Sequence, residues 1–327
     1  MNIFAHYEQQ TTALARAEAC ESIMTRLRTL ITIRQETEPL VDIVLLSHLA
    51  NVSTDCGAIV MLAFDHKSSR FVVVKEYLHE EGPWNLPQHV IRQLQTSVKL
   101  YELQARPRCL QPCIDVHISE NVTHMIFPYY PLTFDALFGL NRKPPAAFVF
   151  EKAIELLHAV QILHESEVAH RDIKAANICF DKRGRLVLID FDSSVAENLQ
   201  SRKTVPVCTE QTRAPEQIRA ELVETKTGYD AKAGDWWAAG CVIAQMYLGI
   251  PLFRTHKFLK DYYQDICMFC AQLAQWKNSI HEKVKALRRC VSSEVMVLLC
   301  GILSLDPTKR HSHVLRFLST QDTNVCD

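Results

Sequence analysis

The stretch His170-Arg171-Asp172-Ile173-Lys174-Ala175-Ala176-Asn177 puts a carboxylate, an ammonium two positions on and an amide five positions on into one short segment. Two apolar runs, ICF and LVLI, follow around the turn DKRG. A second carboxylate then stands in Asp190-Phe191-Asp192. Phosphoryl transfer asks for such a set: a carboxylate to orient an acceptor hydroxyl, hard oxygen ligands for Mg²⁺, and positive charge for the group in transit. A single Asp or Asn in a turn is ordinarily a cap or turn former. The joint spacing is what gives these residues a chemical reading.

This arrangement resembles the eukaryotic-type protein kinase family over about residues 42–318. Further landmarks follow in the family's order. Ala214-Pro215-Glu216 matches the motif that closes the activation segment, and Asp235-Trp236-Trp237-Ala238-Ala239-Gly240 matches the family's Asp-x-Trp-x-x-Gly helix. Arg310 matches the arginine that pairs with the Ala-Pro-Glu glutamate. The resemblance implies an α+β, two-lobed protein kinase fold with a small strand-rich N-lobe and a larger helical C-lobe. It implies ATP and Mg²⁺ as cofactors, with Asp172 orienting the acceptor, Lys174 on the transferring phosphate, and Asn177 and Asp190 as metal ligands. Lys174 two positions after Asp172, and Thr209 five before Ala214, suit a serine/threonine enzyme acting on a protein substrate.

The N-terminal half departs more from that pattern. Lys75, ending the run Phe71-Val72-Val73-Val74-Lys75, resembles the strand lysine that grips the α- and β-phosphates. Gly57 lies 18 residues upstream, near the place of the last glycine of the phosphate-covering loop. Val52 and Thr54 then fill the other two glycine places, so the backbone has less freedom to approach phosphates. The helix acid that should pair with Lys75 falls between Gln93 and Val98, where no acid exists. Gln93, Gln95 and the later Glu102 are the alternatives. Asp192 replaces the glycine of Asp-Phe-Gly. Phe127 is expected to guard the pocket behind adenine, with Pro128, Tyr129 and Tyr130 forming the adenine-contacting link. Thr204 occupies the offset of an activating phosphothreonine, for which Arg171 offers a charge partner. These departures motivate a second reading, a pseudokinase serving as a binding or scaffolding module. Divergence of this kind also resembles kinases of large DNA viruses.

The elements that must position these residues can be read from periodicity. Residues 1–40 carry apolar residues at helical spacing (Leu14, Ala17, Ile23, Leu27, Leu30). From about 42 to 77 short apolar runs predict strands, the last two joined in a hairpin by DHKSS. A helix is expected over 86–105, strands at CIDVHI and THMIFPYY, a helix over 148–166, and helices from 234 onward. The organisation expected is a helical N-terminal extension at 1–41 that could take a regulatory partner, an N-lobe at 42–130 and a C-lobe at 131–327.

Composition sets outer limits. Lys+Arg is 36 and Asp+Glu 37 in 327 residues, a balance that argues against a general nucleic-acid or membrane-surface binder. Only 9 glycines are present, where average usage of about 7% would give roughly 23. The 12 scattered cysteines read as reduced thiols of an intracellular, cytoplasmic or nuclear protein. Cys267 and Cys270 form a CxxC without the second pair a zinc site needs. The run Trp236–Phe253 lacks charge for 18 residues, which a buried central helix explains better than a membrane span.

Overall fold

The computed structural model describes residues 22–23, 25–26, 33–35, 42–50, 58–79, 86–103, 107–119, 121–139, 142, 144–196, 209–223 and 229–321. The chain divides into two compact units. One runs to Arg106 and resumes over Gln111–Tyr129; the other takes Pro107–Leu110 and the chain from Tyr130 onward.

The first unit is built on strands β1 (Ile33–Gln35), β2 (Ile43–Ala50), β3 (Ile59–Asp65), β4 (Arg70–Leu78), β5 (Asp115–Ile118) and β6 (Val122–Pro128), in the order β1-β5-β6-β4-β3-β2. Only β1 against β5 is parallel. The expected β3–β4 hairpin forms around His66–Ser69, where Asp65 accepts hydrogen bonds from the Lys67 amide at 3.0 Å and the Ser68 hydroxyl at 2.6 Å. Strand period two sorts the side chains. Met61, Ala63, Val72, Val74 and Ile126 pack on one face. Tyr77, Val116, Met125 and Phe127 pack on the other, under helix α1 (Gln88–Tyr101), whose Val90, Ile91, Leu94 and Val98 recur at helical spacing.

The helical reading of residues 1–40 is corrected at Ile33–Gln35, which is strand. The sequence Ile31-Thr32-Ile33 is a β-branched run that suits extended backbone better than helix. Residues 22–23 and 25–26 are helical; the rest of that expected helix lies outside the described residues.

The second unit begins with β7 (Leu132–Thr133) and α2 (Phe134–Phe138), then α3 (Ala146–Glu165). Four short strands follow: β8 (Val168–Ala169), β9 (Ile178–Phe180), β10 (Leu186–Leu188) and β11 (Val195–Ala196). It closes with α4 (Pro215–Leu222), α5 (Ala231–Leu248), α6 (Leu259–Ala274), α7 (Glu282–Cys290), α8 (Ser293–Ile302) and α9 (Pro307–Leu318). The uncharged run found in the sequence is largely α5, with every residue from Ala233 to Ala244 buried within this unit. Asp230 caps it by accepting from the Ala233 amide at 3.1 Å. A Cβ on Gly240 would sit 2.8 Å from Ile302 and 2.9 Å from Leu303, so the glycine lets α5 and the end of α8 approach closely. Among the described residues no helix is long and apolar enough to cross a membrane.

Candidate active site

In the second unit, β8 delivers the chain into the His170–Asn177 loop, and the β9–β10 hairpin carries it on to Asp190. The loop is clamped from beneath by α5. The Asp235 carboxylate is 1% exposed. It accepts from the His170 amide at 2.7 Å, the Arg171 amide at 2.8 Å and His164 Nε2 at 2.9 Å. A carboxylate holding three donors in a low-dielectric interior is worth far more than the same contacts in water. The Asp172 amide donates to His170 Nδ1 at 3.3 Å, which puts the ring proton on Nε2, and Nε2 donates to the Ile189 carbonyl at 3.1 Å. The imidazole thus ties the loop to the residue before Asp190.

Arg171 at φ 70° and Asp190 at φ 69° occupy the left-handed region, which costs non-glycine residues about 1–3 kcal/mol each. The Asp235 clamp holds the first. At the second, the neighbouring Ile189 amide donates to the Asn177 carbonyl at 3.0 Å. Strain at two residues picked out for chemistry is what a site held by its surroundings shows.

Asp172 is the hub. Lys174 Nζ lies 2.7 Å from its Oδ2. Asn177 Nδ2 donates to the Asp172 carbonyl at 2.8 Å and to Oδ2 at 3.1 Å. The Thr209 hydroxyl donates to Oδ1 at 3.0 Å and its amide to the same atom at 3.3 Å. Because Asn177 spends its amide nitrogen on Asp172, its side-chain oxygen is the atom it can offer a hard cation, and Asp190 supplies carboxylate oxygens from the adjoining strand end. That donor chemistry fits Mg²⁺.

The hairpin behind the loop is fixed by buried charge. Glu155 of α3 accepts from Lys152 Nζ at 2.6 Å and from the Leu186 amide at 2.6 Å. Burial nonetheless pushes its carboxyl above the ordinary range. Phe191, fully buried, packs on the His170 ring with centroids 5.1 Å apart. Asp192 is also buried, so the carboxylate standing in the glycine position is held within the fold. Farther along the chain, Arg310 is completely buried and forms a two-point pair with Glu216 at 2.6 and 2.8 Å. It also donates to the Ser304 carbonyl at 3.0 Å and the Ala233 carbonyl at 2.9 Å, and lies 5.1 Å from the centre of the Trp237 ring. The Glu216–Arg310 contact is the pairing the motifs predict.

Sequence-predicted residues of the first unit are placed separately. Lys75 is buried on β4, its ammonium 5.7 Å from the Phe127 ring centre. Phe127 is itself fully buried on β6. Tyr129 is half-buried, its ring edge-on to Phe71 at 6.3 Å. Gln93 is completely buried in α1 and Gln95 half-buried. Glu102, just past the helix end, is bound by Arg26, whose Nε donates to it at 3.1 Å. Tyr130 opens the second unit, and burial, then the nearby Cys179 and Asp181, push its hydroxyl well up from the usual tyrosine value. Gly57, Val52, Thr54 and Thr204 lie outside the described residues.

Two contacts were not foreseen from the sequence: His164 beneath the Asp235 clamp and Thr209 on Asp172. His164 is the penultimate residue of α3, a helix most of whose residues are buried, with no local signal to mark it. Thr209 was noticed only for its offset from Ala214, and its partner lies 37 residues away.

A family model described as a protein kinase domain matches residues 56–320. The chain is 31% identical over 161 residues to a probable serine/threonine-protein kinase, glkA, of Dictyostelium discoideum, covering 47% of this chain and 32% of that protein. It is 29% identical over 174 residues to the serine/threonine-protein kinase sgk-1 of Caenorhabditis elegans, covering 52% and 32%. It is 36% identical over 142 residues to the protein kinase gsk31 of Schizosaccharomyces pombe, covering 41% and 36%. The matched stretches span about a third of each relative's length.

Proposed function

The chain belongs to the protein kinase domain family, and from that premise we propose that it transfers the γ-phosphate of Mg·ATP to serine or threonine hydroxyls of a protein. The observation that carries this reading is the hub at Asp172, where Lys174, Asn177 and Thr209 converge on one carboxylate while Asp235 fixes the backbone beneath it. Asp172 orients the acceptor hydroxyl and takes its proton as the acceptor oxygen bonds the γ-phosphorus and the bond from that phosphorus to the bridging oxygen breaks, releasing ADP. Lys174 meets the negative charge of the transferring group. Asn177 and Asp190 would hold Mg²⁺, which when bound would neutralise charge on the phosphate oxygens. Lys75 and Tyr129 of the first unit, and Tyr130 of the second, are assigned to the nucleotide, with Gly57 in the phosphate-covering loop. Residues 42–130 and 131–327 are read as the two lobes; within residues 1–41, Ile33–Gln35 joins the first lobe's sheet through β5 and Arg26 holds Glu102, so this stretch braces that lobe. An intracellular setting is supported by the eight cysteines of the described residues, all free thiols.

The residue class is tested by phosphoamino-acid analysis of a generic basic protein labelled from γ-labelled Mg·ATP. Label on serine and threonine is expected. Label confined to tyrosine would overturn the serine/threonine assignment.

A further inference from the structure

A cavity of about 300 Å³ opens on the second unit where the end of α3 meets the starts of α5 and α9. None of the residues assigned above to ATP, Mg²⁺ or the acceptor lines it. Its size is at the lower end of ligand pockets. The floor is aromatic. Trp236 is buried, His164 meets it edge-on at 4.9 Å, and His311 lies parallel to it at 6.1 Å with an interplanar angle of 10°. Two carboxylates stand at the exposed rim, Glu165 and Asp230. Each is oriented through one oxygen: Gln161 Nε2 donates to Glu165 Oε1 at 2.7 Å, and the Ala233 amide donates to Asp230 Oδ1 at 3.1 Å. Lys232 is the one ammonium in the lining.

We propose that this cavity is a binding site for an arginine side chain presented by a protein partner. A guanidinium is flat, so it lies along an indole–imidazole wall, and it is weakly hydrated enough to enter a half-buried pocket. It also carries several donors in one plane, which carboxylates at the rim can take up. An alkyl ammonium offers neither the flat face nor the spread of donors. A phosphate would meet two carboxylates at the rim against one ammonium. The charge balance therefore selects a cation, and the ring geometry selects a planar one.

The position of the site gives its occupancy a consequence. His164 lines the cavity and donates to Asp235, and Asp235 holds the amides of His170 and Arg171. An occupant touching His164 is two hydrogen bonds from the backbone of the proposed catalytic loop. This consequence alone rests on the kinase reading: occupancy should change kcat for phosphotransfer and leave the KM for ATP unchanged.

The binding test needs no nucleotide and so stands or falls apart from that reading. The whole chain, labelled at histidine, is titrated with N-acetyl-arginine methylamide while the His164 and His311 ring signals are followed by NMR. N-acetyl-lysine methylamide and inorganic phosphate are run in parallel. Asp230→Asn keeps the helix cap while removing the charge, and Glu165→Gln removes the other. Saturable shifts with the arginine analogue, weakened about tenfold or more in the double variant (about 1.4 kcal/mol) and several-fold in His311→Ala, are expected. Should the double variant melt early, Glu165→Gln and His311→Ala carry the test alone. No saturable shift at tens of millimolar, unchanged affinity in these variants, or equal binding of the lysine analogue or phosphate would each overturn the proposal.

Discussion

Asp172 and Lys75 are the two ionisable residues on which the proposed chemistry leans most, and their surroundings differ in kind. Around Asp172, in the second unit, every partner is a donor of defined geometry, and the backbone carrying it is clamped by a buried carboxylate. Around Lys75, in the first unit, the partner family members supply as an acid is absent from α1: Gln88–Tyr101 contains no Asp or Glu. Glu102, the first acid past that helix, is engaged by Arg26. On the register that puts Gly57 in the phosphate loop, Val52 and Thr54 stand in the other two glycine places. One region keeps its chemistry and the network that orients it, while the other keeps the lysine and changes what stands around it. A transferring centre depends on placement to within about an ångström. A nucleotide grip is shared among several weak contacts and tolerates substitution better.

The comparison breaks first at Arg310. Replacing it with Met leaves Glu216 without its buried partner, which should cost roughly 3–5 kcal/mol of stability in chemical denaturation. A loss under about 1 kcal/mol would mean that the second unit is less tightly framed than its hydrogen bonds suggest. Next comes Lys75→Ala. If the lysine still grips phosphate, it should lower kcat/KM for ATP by roughly 10²–10³, the usual effect of losing one preorganised charge donor. An unchanged value would show that the first unit has given up that role. Asp235→Asn replaces one of the clamp's accepting oxygens with a donor. It should lower kcat about 10²-fold with little change in KM for ATP, the pattern of a positioning residue. Glu102→Gln should be the mildest. It removes an exposed ion pair with Arg26, worth about 0–1 kcal/mol, and should change activity less than about twofold. A large loss would return Glu102 to the role of Lys75's partner.

Much of the fold is legible in the sequence. The hairpin at DHKSS, the helix expected over 86–105 and found at Gln88–Tyr101, and the buried α5 followed from period and turn chemistry, because each is local and strongly patterned. The His170–Asn177 constellation could be named because its residues carry charge at fixed spacing, whereas the Glu216–Arg310 pair, 94 residues apart, could be named only through the family resemblance. What stayed hidden was long-range or backbone in origin. Asp235 binds amides 64 and 65 residues away, and an amide looks the same at every position. The strained φ at Arg171 and Asp190 has no glycine to announce it. The strand at Ile33–Gln35 was lost inside a helical stripe because its pairing partner, β5, lies some 80 residues on and cannot be inferred from period alone. The choice among Gln93, Gln95 and Glu102 stayed open because alignment to a family pattern runs out where the pattern has changed.

The second unit is proposed to hold a working phosphoryl-transfer centre despite the altered first unit. The direct measurement is transfer of labelled γ-phosphate from Mg·ATP to the protein itself and to a generic basic protein, comparing wild type with Asp172→Asn. That change keeps the shape at the hub and removes the base. Transfer by wild type that falls at least about 10²-fold in Asp172→Asn is the predicted result. Folded wild-type protein that transfers nothing, or transfer that survives the substitution undiminished, would contradict the account.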